Sequence, residues 1–198
     1  MLFGLELYLL RHGDAGRRTA IVAGENSSEL PLTIAGREEI VVLARSLKHL
    51  NLKFDAIISS PLKRAIQTAK IIAKALVMEK RISIWNELVP EGNRSKLYHR
   101  LNQYARESTI LMVGHQPYLT NIISDMIFQK RVNQVGQINL KKGGLAKIIV
   151  ISLTPNTSGE LRWLLTPRIL KSLAKDGSKS KFSTTSKKKE IVSGSNKA

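Results

Sequence analysis

The chain has 198 residues, of which 42% are hydrophobic, contains no cysteine and carries a formal net charge of +17. Its length is sufficient for one domain with a sizeable core, and the lack of cysteine excludes disulfide bonds and catalysis by a thiolate. The sequence also lacks zinc-site and P-loop spacings, and it has no apolar stretch of the ~20 residues that span a bilayer. The apolar run before Arg11 is short and lacks a basic region, so we expect no signal peptide and a cytoplasmic protein.

Strands and helices are predicted to alternate along the first two thirds of the chain. A buried strand over residues 5–10 precedes a polar loop over residues 14–32. Thr33 can cap a helix that continues to about Leu50, because apolar residues recur there at helical spacing. The next predicted elements are a strand over 56–59, a helix from Pro61 to about Val77, a strand over 82–85, a helix over 95–106, a strand over 109–113 and a helix from Pro117 to about Phe128.

Strands dominate the part that follows. We predict them over residues 138–140, 145–153 and 160–165, with turns at 142–144 and 155–159, where Gly, Pro, Asn and Ser cluster. Alternating strands and helices followed by a run of strands predict an α/β fold. The expected architecture is a compact three-layer sandwich, in which helices cover both faces of a largely parallel mixed sheet and no lid subdomain is present.

The sequence changes character near its C-terminus. We predict a catalytic domain over residues 1–168 and a basic, disordered tail over 169–198, which includes three consecutive lysines at 187–189. Such a segment has too little apolar surface to offset the entropy of ordering. With aromatic residues at only 5% of the chain, we expect no specific nucleic-acid partner, and we also expect no membrane partner.

Titratable or phosphate-compatible side chains follow three of the predicted strands. Arg11 and His12 end the first strand, Arg64 follows the second, and His115 follows the strand over 109–113. Because the carboxyl ends of parallel strands share one edge of a sheet, we expect these four side chains to converge. An arginine offers a planar fork of donors to phosphate, and a histidine nitrogen can attack phosphorus.

Three segments resemble the signatures of the histidine phosphatase (phosphoglycerate mutase-like) superfamily. They are Leu-Arg-His-Gly-Asp-Ala (10–15), Ser-Ser-Pro-Leu-Lys-Arg-Ala-Ile-Gln-Thr-Ala (59–69) and Val-Gly-His-Gln-Pro (113–117). Two further segments, Pro31-Leu32-Thr33 with Gly36 and Glu87-Leu88-Val89-Pro90 with Gly92, are similar to others of the family. The likeness spans roughly residues 5–166, and within the superfamily it is to the bacterial phosphohistidine phosphatases of the SixA type.

The resemblance implies a phosphatase that needs no metal and no cofactor and that works through a covalent phosphohistidine intermediate. His12 would be the nucleophile, and Arg11, Arg64 and His115 would hold the phosphoryl oxygens, with Gly13 beside them. We expect His12 to be neutral, with its tautomer fixed by a nearby backbone carbonyl. Because two arginines depress its pKa and a phosphate restores it, we expect His115 to be charged mainly in the substrate complex.

The proton donor for the leaving group has three candidates. Glu87 resembles the acidic position of the superfamily and comes first, while Asp14 and Glu91 are its rivals. Alcohol phosphate esters require such an acid. A phosphohistidine has an easier leaving group, since a protonated ring nitrogen departs neutral, so an enzyme for that substrate tolerates a poor acid.

The segment that could cover the site is short. The sugar-phosphate and mutase members of the superfamily that this chain resembles usually carry larger helical insertions that cover the pocket. In this sequence, residues 86–108 leave little chain to build such a lid. An uncovered site would admit a phosphorylated side chain on another protein, so we predict hydrolysis of protein phosphohistidine, for example on a signalling phosphotransfer domain. The alternatives are a phosphatase for a small phosphorylated metabolite and a phosphoprotein-binding module without activity; the oligomeric state stays open.

Overall fold

The computed structural model describes residues 4–16, 27–104, 106–128 and 138–176. Within these ranges it contains six strands and five α-helices. In chain order they are β1 (Leu5–Arg11), α1 (Ile34–His49), β2 (Ala56–Ser59), α2 (Lys63–Leu76), β3 (Ile82–Ile84), α3 (Arg94–Leu101), β4 (Thr109–Gly114), α4 (Tyr118–Phe128), β5 (Leu145–Ser152), β6 (Ser158–Leu165) and α5 (Pro167–Asp176). Short 3-10 helices lie at Ser27–Glu29, Glu79–Arg81 and Asn86–Leu88.

The strands form one mixed sheet in the order β3-β2-β4-β1-β5-β6. The first four of these are parallel to one another, whereas β5 is antiparallel to both β1 and β6. The register pairs Arg11 with Gly114, and Val113 with both Leu10 and Ser59. The carboxyl ends of β1, β2 and β4 therefore lie level at one edge of the sheet, as the predicted α/β architecture requires.

Alternating side chains of β1 belong to two separate cores. Leu5, Leu7 and Leu9 pack in a cluster with residues of α3 and α4, whereas Tyr8 and Leu10 pack with residues of α1, α2 and α5. Because helices cover both faces, the central strands are continuous apolar runs rather than alternating ones. This confirms the predicted three-layer sandwich and explains why the strands stand out in the sequence.

The predicted cap of α1 is present. Thr33 precedes the helix in an extended conformation, and its Oγ1 accepts a hydrogen bond from the backbone N–H of Gly36 at 2.9 Å. Helix α2 begins at Lys63 rather than at Pro61, because Leu62 is still extended. Among the described residues between β3 and β4, helix α3 is the only α-helix. It ends at Leu101, where the chain turns and Tyr104 packs against the core.

The strand predicted over residues 138–140 is absent. This segment has no regular structure, although Leu140 is fully buried. Its backbone carbonyl accepts a hydrogen bond from Nη1 of Arg11 at 2.9 Å. The short apolar run is therefore a buried loop segment beside the end of β1. Because buried loop segments and buried strands are both apolar, the sequence pattern predicted a strand here.

Helix α5 was not predicted, and it crosses the boundary placed after residue 168. Leu170 is 1% exposed, and its carbonyl accepts a hydrogen bond from Ser46 Oγ on α1. This packing orders residues up to Asp176, so the predicted disordered tail does not begin at 169. Residues 177–198 lie outside the described residues, and for them the tail remains a prediction. No helix in the described ranges is long and apolar enough to cross a membrane.

Candidate active site

The side chains expected to converge at the edge of the sheet lie together. The ring centroids of His12 and His115 are 5.0 Å apart, and the Nε–H of Arg64 donates a hydrogen bond to Nε2 of His12 at 3.2 Å. Arg11 ends β1, directly before His12. The cluster thus draws on the end of β1, the first turn of α2 and the loop after β4.

The hydrogen bonds of His12 define its tautomer. The backbone N–H of His12 donates to the carbonyl of Gly114 at 3.1 Å, which continues the β1–β4 ladder. In the ring, Nδ1 lies 2.7 Å from the carbonyl oxygen of Gly13 and must donate to it, because a carbonyl only accepts. The proton of the neutral ring is therefore on Nδ1, and Nε2 keeps a lone pair, as expected from the sequence.

Both histidines are neutral in the free protein. Burial, the largest cause, lowers the pKa of His12 to about 4 together with the charges of Arg64, Arg11 and Lys142, against the opposing hydrogen bond to Gly13. Burial is also the largest cause at His115, and together with His12, Arg64 and Arg11 it lowers the pKa of this ring to about 3. A neutral imidazole is the form that can attack an electrophile.

The buried neutral histidines should make stability depend on pH. Because the folded-state pKa of His12 lies below its unfolded value of about 6.5, the unfolded chain binds the extra proton between about pH 6.5 and 4. Stability is therefore fully present above pH 6.5 and falls as the pH drops. Between pH 7 and 4.5, urea unfolding should show a loss about 2 kcal/mol larger for the wild type than for His12→Asn. Equal losses in both proteins would contradict a buried neutral His12.

The guanidinium of Arg11 is held in place by the loops around it. Its Nη1 donates to Oε1 of Gln116 at 2.8 Å and to the carbonyl of Leu140. Its Nε is buried and has no hydrogen-bond partner among the described residues. An oriented donor that lacks an acceptor is suited to an anionic ligand. Sequence reasoning missed the roles of Gln116 and Leu140, although Gln116 lies within one of the quoted motifs.

Glycines bring α1 and α2 close to His12. The N–H of Gly13 donates to Oγ1 of Thr68 in α2 at 3.2 Å. A Cβ at Gly13 would lie 2.7 Å from Cγ1 of Ile40, and a Cβ at Gly36 would lie 2.2 Å from the carbonyl oxygen of Asp14. The glycine at 13 thus makes room for helix α1, a reason that the sequence alone did not reveal.

A turn before β5 adds a cation that the sequence analysis did not identify. The N–H of Gly143 donates to the carbonyls of Arg11 at 3.0 Å and His12 at 3.2 Å, and Gly143 has a φ of +69° that favours glycine. Next to it, Nζ of Lys142 forms an ion pair with Asp14. This pairing lowers the pKa of the Asp14 carboxyl, so Asp14 is poorly suited to act as a proton donor.

The carboxylate of Glu87 is paired with an arginine of α3. Its Oε2 accepts a hydrogen bond from Nη1 of Arg100 at 3.0 Å, and the guanidinium carbon of Arg100 lies 3.9 Å from the ring centroid of Trp85. Among the described residues, Glu87 forms no hydrogen bond or ion pair with His12 or His115. The other rival, Glu91, is exposed in the loop before α3. The structure therefore brings Arg11, His12, Arg64 and His115 together, and it pairs the Glu87 carboxylate with Arg100.

Comparison with known proteins agrees with this fold. A model of the histidine phosphatase superfamily (branch 1) matches residues 7–89. The chain is 32% identical over 171 residues to an uncharacterised protein of Picosynechococcus sp. The aligned residues cover 84% of this chain and 99% of that protein. It is 25% identical over 124 residues to the phosphohistidine phosphatase SixA of Escherichia coli, covering 62% of this chain and 74% of the relative.

A solved structure gives the same picture at the level of the fold. The protein histidine phosphatase SixA in complex with tungstate matches with a TM-score of 0.66 and 21% identity, over 82% of this chain and 97% of that chain. The chain belongs to the histidine phosphatase superfamily, and this membership supports phosphatase activity. Within the superfamily it is similar to SixA, which confirms the resemblance seen in the sequence.

Proposed function

We propose that this protein hydrolyses protein phosphohistidine, with His12 as the nucleophile. The observation that carries the proposal is the arrangement around Nε2 of His12. This nitrogen keeps its lone pair because Nδ1 donates to Gly13, and the Nε–H of Arg64 lies 3.2 Å from it. A neutral nucleophile beside fixed cationic donors is what transfer of a phosphoryl group requires.

In the first step, the phosphoryl group of the substrate takes the position between the two histidines and the arginines. Arg64 exchanges its hydrogen bond to Nε2 for one to a phosphoryl oxygen, which frees the lone pair. Nε2 of His12 then forms a bond to phosphorus while the bond from phosphorus to the substrate nitrogen breaks. The substrate imidazole, protonated on its ring before it departs, leaves as a neutral group.

In the second step, water completes the hydrolysis. The oxygen of a water molecule attacks phosphorus, the bond from Nε2 to phosphorus breaks, and the electron pair returns to Nε2. The protons of the water end on inorganic phosphate and solvent. Arg11, Arg64 and His115 hold the phosphoryl oxygens in both steps, where fixed donors stabilise the charge that builds up. We propose no metal or cofactor in either step.

Two observations favour phosphohistidine over an alcohol ester. Glu87 is paired with Arg100, and Asp14 is paired with Lys142, so both carboxylates are engaged in ion pairs. An alkoxide needs a proton from an acid as it leaves, whereas a protonated imidazole does not. The segment between β3 and β4 adds one eight-residue α-helix, which leaves room for a substrate carried on another protein. We therefore propose a cytoplasmic role in signal transduction, with a phosphotransfer domain as partner.

Substitution of Glu87 separates this proposal from a metabolite phosphatase. If the leaving group needs no acid, Glu87→Gln should change the release of phosphate from a phosphohistidine protein by less than about threefold. Phosphate release is measured for wild type and variant on this substrate and on a panel of sugar phosphates and phosphoserine. Arg100→Gln, which breaks the same ion pair from the other side, is the matched control.

The metabolite alternative predicts the opposite pattern. Glu87→Gln would then lower turnover of small esters by roughly a hundredfold or more, the usual contribution of a general acid, while Arg100→Gln would not. Good turnover of esters by the wild type together with no release from any phosphohistidine protein would overturn the proposal.

A further inference from the structure

A buried hydroxyl contacts His115 on the side opposite to the free nitrogen of its ring. Ser60, between β2 and α2, is fully buried, and its Oγ lies 2.8 Å from Nε2 of His115. The same Oγ accepts a hydrogen bond from the backbone N–H of Leu62 at 3.4 Å. His115 itself is 2% exposed, so both partners are shielded from water.

These contacts decide where the proton of His115 lies. A serine hydroxyl has one hydrogen to donate, and among the described residues its partners are the N–H of Leu62, which can only donate, and Nε2 of His115. If Nε2 carried the ring proton, two donors would face Ser60 Oγ and its own hydrogen would lack an acceptor. If Nε2 accepts from Ser60, both the hydroxyl hydrogen and Nε2 have a partner, and the proton of the neutral ring is on Nδ1.

The Nδ1 atom of His115 has no partner of its own. It is buried, and no hydrogen-bond partner for it is present among the described residues. Because burying a donor without an acceptor is unfavourable, a bound oxyanion is the ligand that completes this site. The titratable and charged groups that face the ring are His12, Arg64 and Arg11; together with burial they hold the pKa of His115 at about 3.

We propose that Ser60 is a positioning residue, which holds His115 as the neutral Nδ1–H tautomer so that Nδ1 donates to an oxygen of the bound phosphoryl group. This inference rests on the proposed function. It replaces the expectation that His115 becomes charged in the complex. An imidazolium would turn Nε2 into a donor, directed at a hydroxyl oxygen that already accepts from Leu62.

The tautomer can be read directly by NMR on the full chain labelled with ¹⁵N in the histidine rings. Spectra are recorded for the free protein and in saturating tungstate, an oxyanion that stands in for phosphate. Ring nitrogen shifts and their couplings to carbon-bound protons distinguish Nδ1–H, Nε2–H and imidazolium. We expect the Nδ1–H form of His115 in both states. An Nε2–H ring in the free protein, or an imidazolium in the complex, would overturn the inference.

Substitutions at Ser60 test its role as distinct from its packing. Ser60→Ala should shift His115 towards the Nε2–H tautomer and weaken tungstate binding about tenfold, whereas Ser60→Thr, which keeps the hydroxyl, should restore both. Ser59→Ala is the matched control, because Ser59 is equally buried but its hydroxyl donates to the carbonyl of Ser60. Equal effects of Ser60→Ala and Ser59→Ala on the tautomer would overturn the inference.

The two measurements distinguish a failure of the proposed function from a failure of the role assigned to Ser60. A wild-type protein that binds no tungstate would contradict a phosphoryl site, and the tautomer of His115 in the free protein would still decide the role of Ser60.

Discussion

His12→Ala is expected to lower phosphate release from a phosphohistidine protein by at least about a thousandfold, because it removes the atom that bonds to phosphorus. The same change should abolish the covalent intermediate. In the wild type, rapid acid-free quenching with a ³²P-labelled substrate should trap label on the enzyme, and peptide mapping should place that label on His12.

The control for this prediction is a histidine outside the site. His49 ends α1 and is exposed, so His49→Ala should keep both turnover and labelling. Tungstate binding by His12→Ala checks that the remaining cationic groups are still in place. Label that persists on the His12→Ala protein would show that another residue is the nucleophile.

Gly36→Ala is expected to destabilise the protein by about 3 kcal/mol, although alanine normally favours a helix by ~1 kcal/mol over glycine. The reason is the contact between α1 and the loop after His12. A Cβ at residue 36 would lie 2.2 Å from the carbonyl oxygen and 2.9 Å from the backbone nitrogen of Asp14. Backbone atoms cannot rotate away as a side chain can, so the loop or the helix must shift.

Urea unfolding measures this effect, with Arg37→Ala as the control at the exposed neighbouring position of the same helix. Arg37→Ala should change the free energy of unfolding by less than about 0.5 kcal/mol. Because the displaced loop carries Gly13, whose carbonyl fixes the tautomer of His12, Gly36→Ala should also lower turnover. A Gly36→Ala protein as stable as the wild type would mean that α1 does not pack this closely on the loop.

Much of the fold follows from local sequence patterns. Apolar runs predicted β2 at its observed bounds and β1 and β4 within one residue of theirs. Thr33, as a candidate N-cap residue, predicted the start of α1. The convergence of His12, Arg64 and His115 was predictable too. It depends only on parallel strands that share an edge, and not on the details of packing.

What the sequence did not reveal is long-range. Lys142 pairs with Asp14 across 128 positions of the chain, and Arg11 is held by Gln116 and by the carbonyl of Leu140. Such contacts depend on how loops from different strands meet. A backbone carbonyl such as that of Leu140 leaves no signal in the residue types. Helix α5 was missed for a related reason, since its polar composition hides its buried anchor, Leu170.

The pairing of Glu87 shows how the structure changes the chemical interpretation. In the sequence, an acidic residue at this position is a reasonable proton donor. In the structure, its carboxylate binds Arg100, which stacks on Trp85. This arrangement engages the carboxylate, and it is the reason why we propose a substrate whose leaving group needs no strong acid. Under the proposed function, the reaction then depends on a nucleophile and fixed donors rather than on an acid and a base.

The most direct test of this account is phosphate release from a phosphotransfer domain that carries phosphohistidine, with wild type beside His12→Ala, in the presence of EDTA. We predict rapid release by the wild type and none above background by the variant. Equal release by both proteins, or no release by the wild type while it hydrolyses small phosphate esters, would contradict the proposed nucleophile or the proposed substrate, respectively.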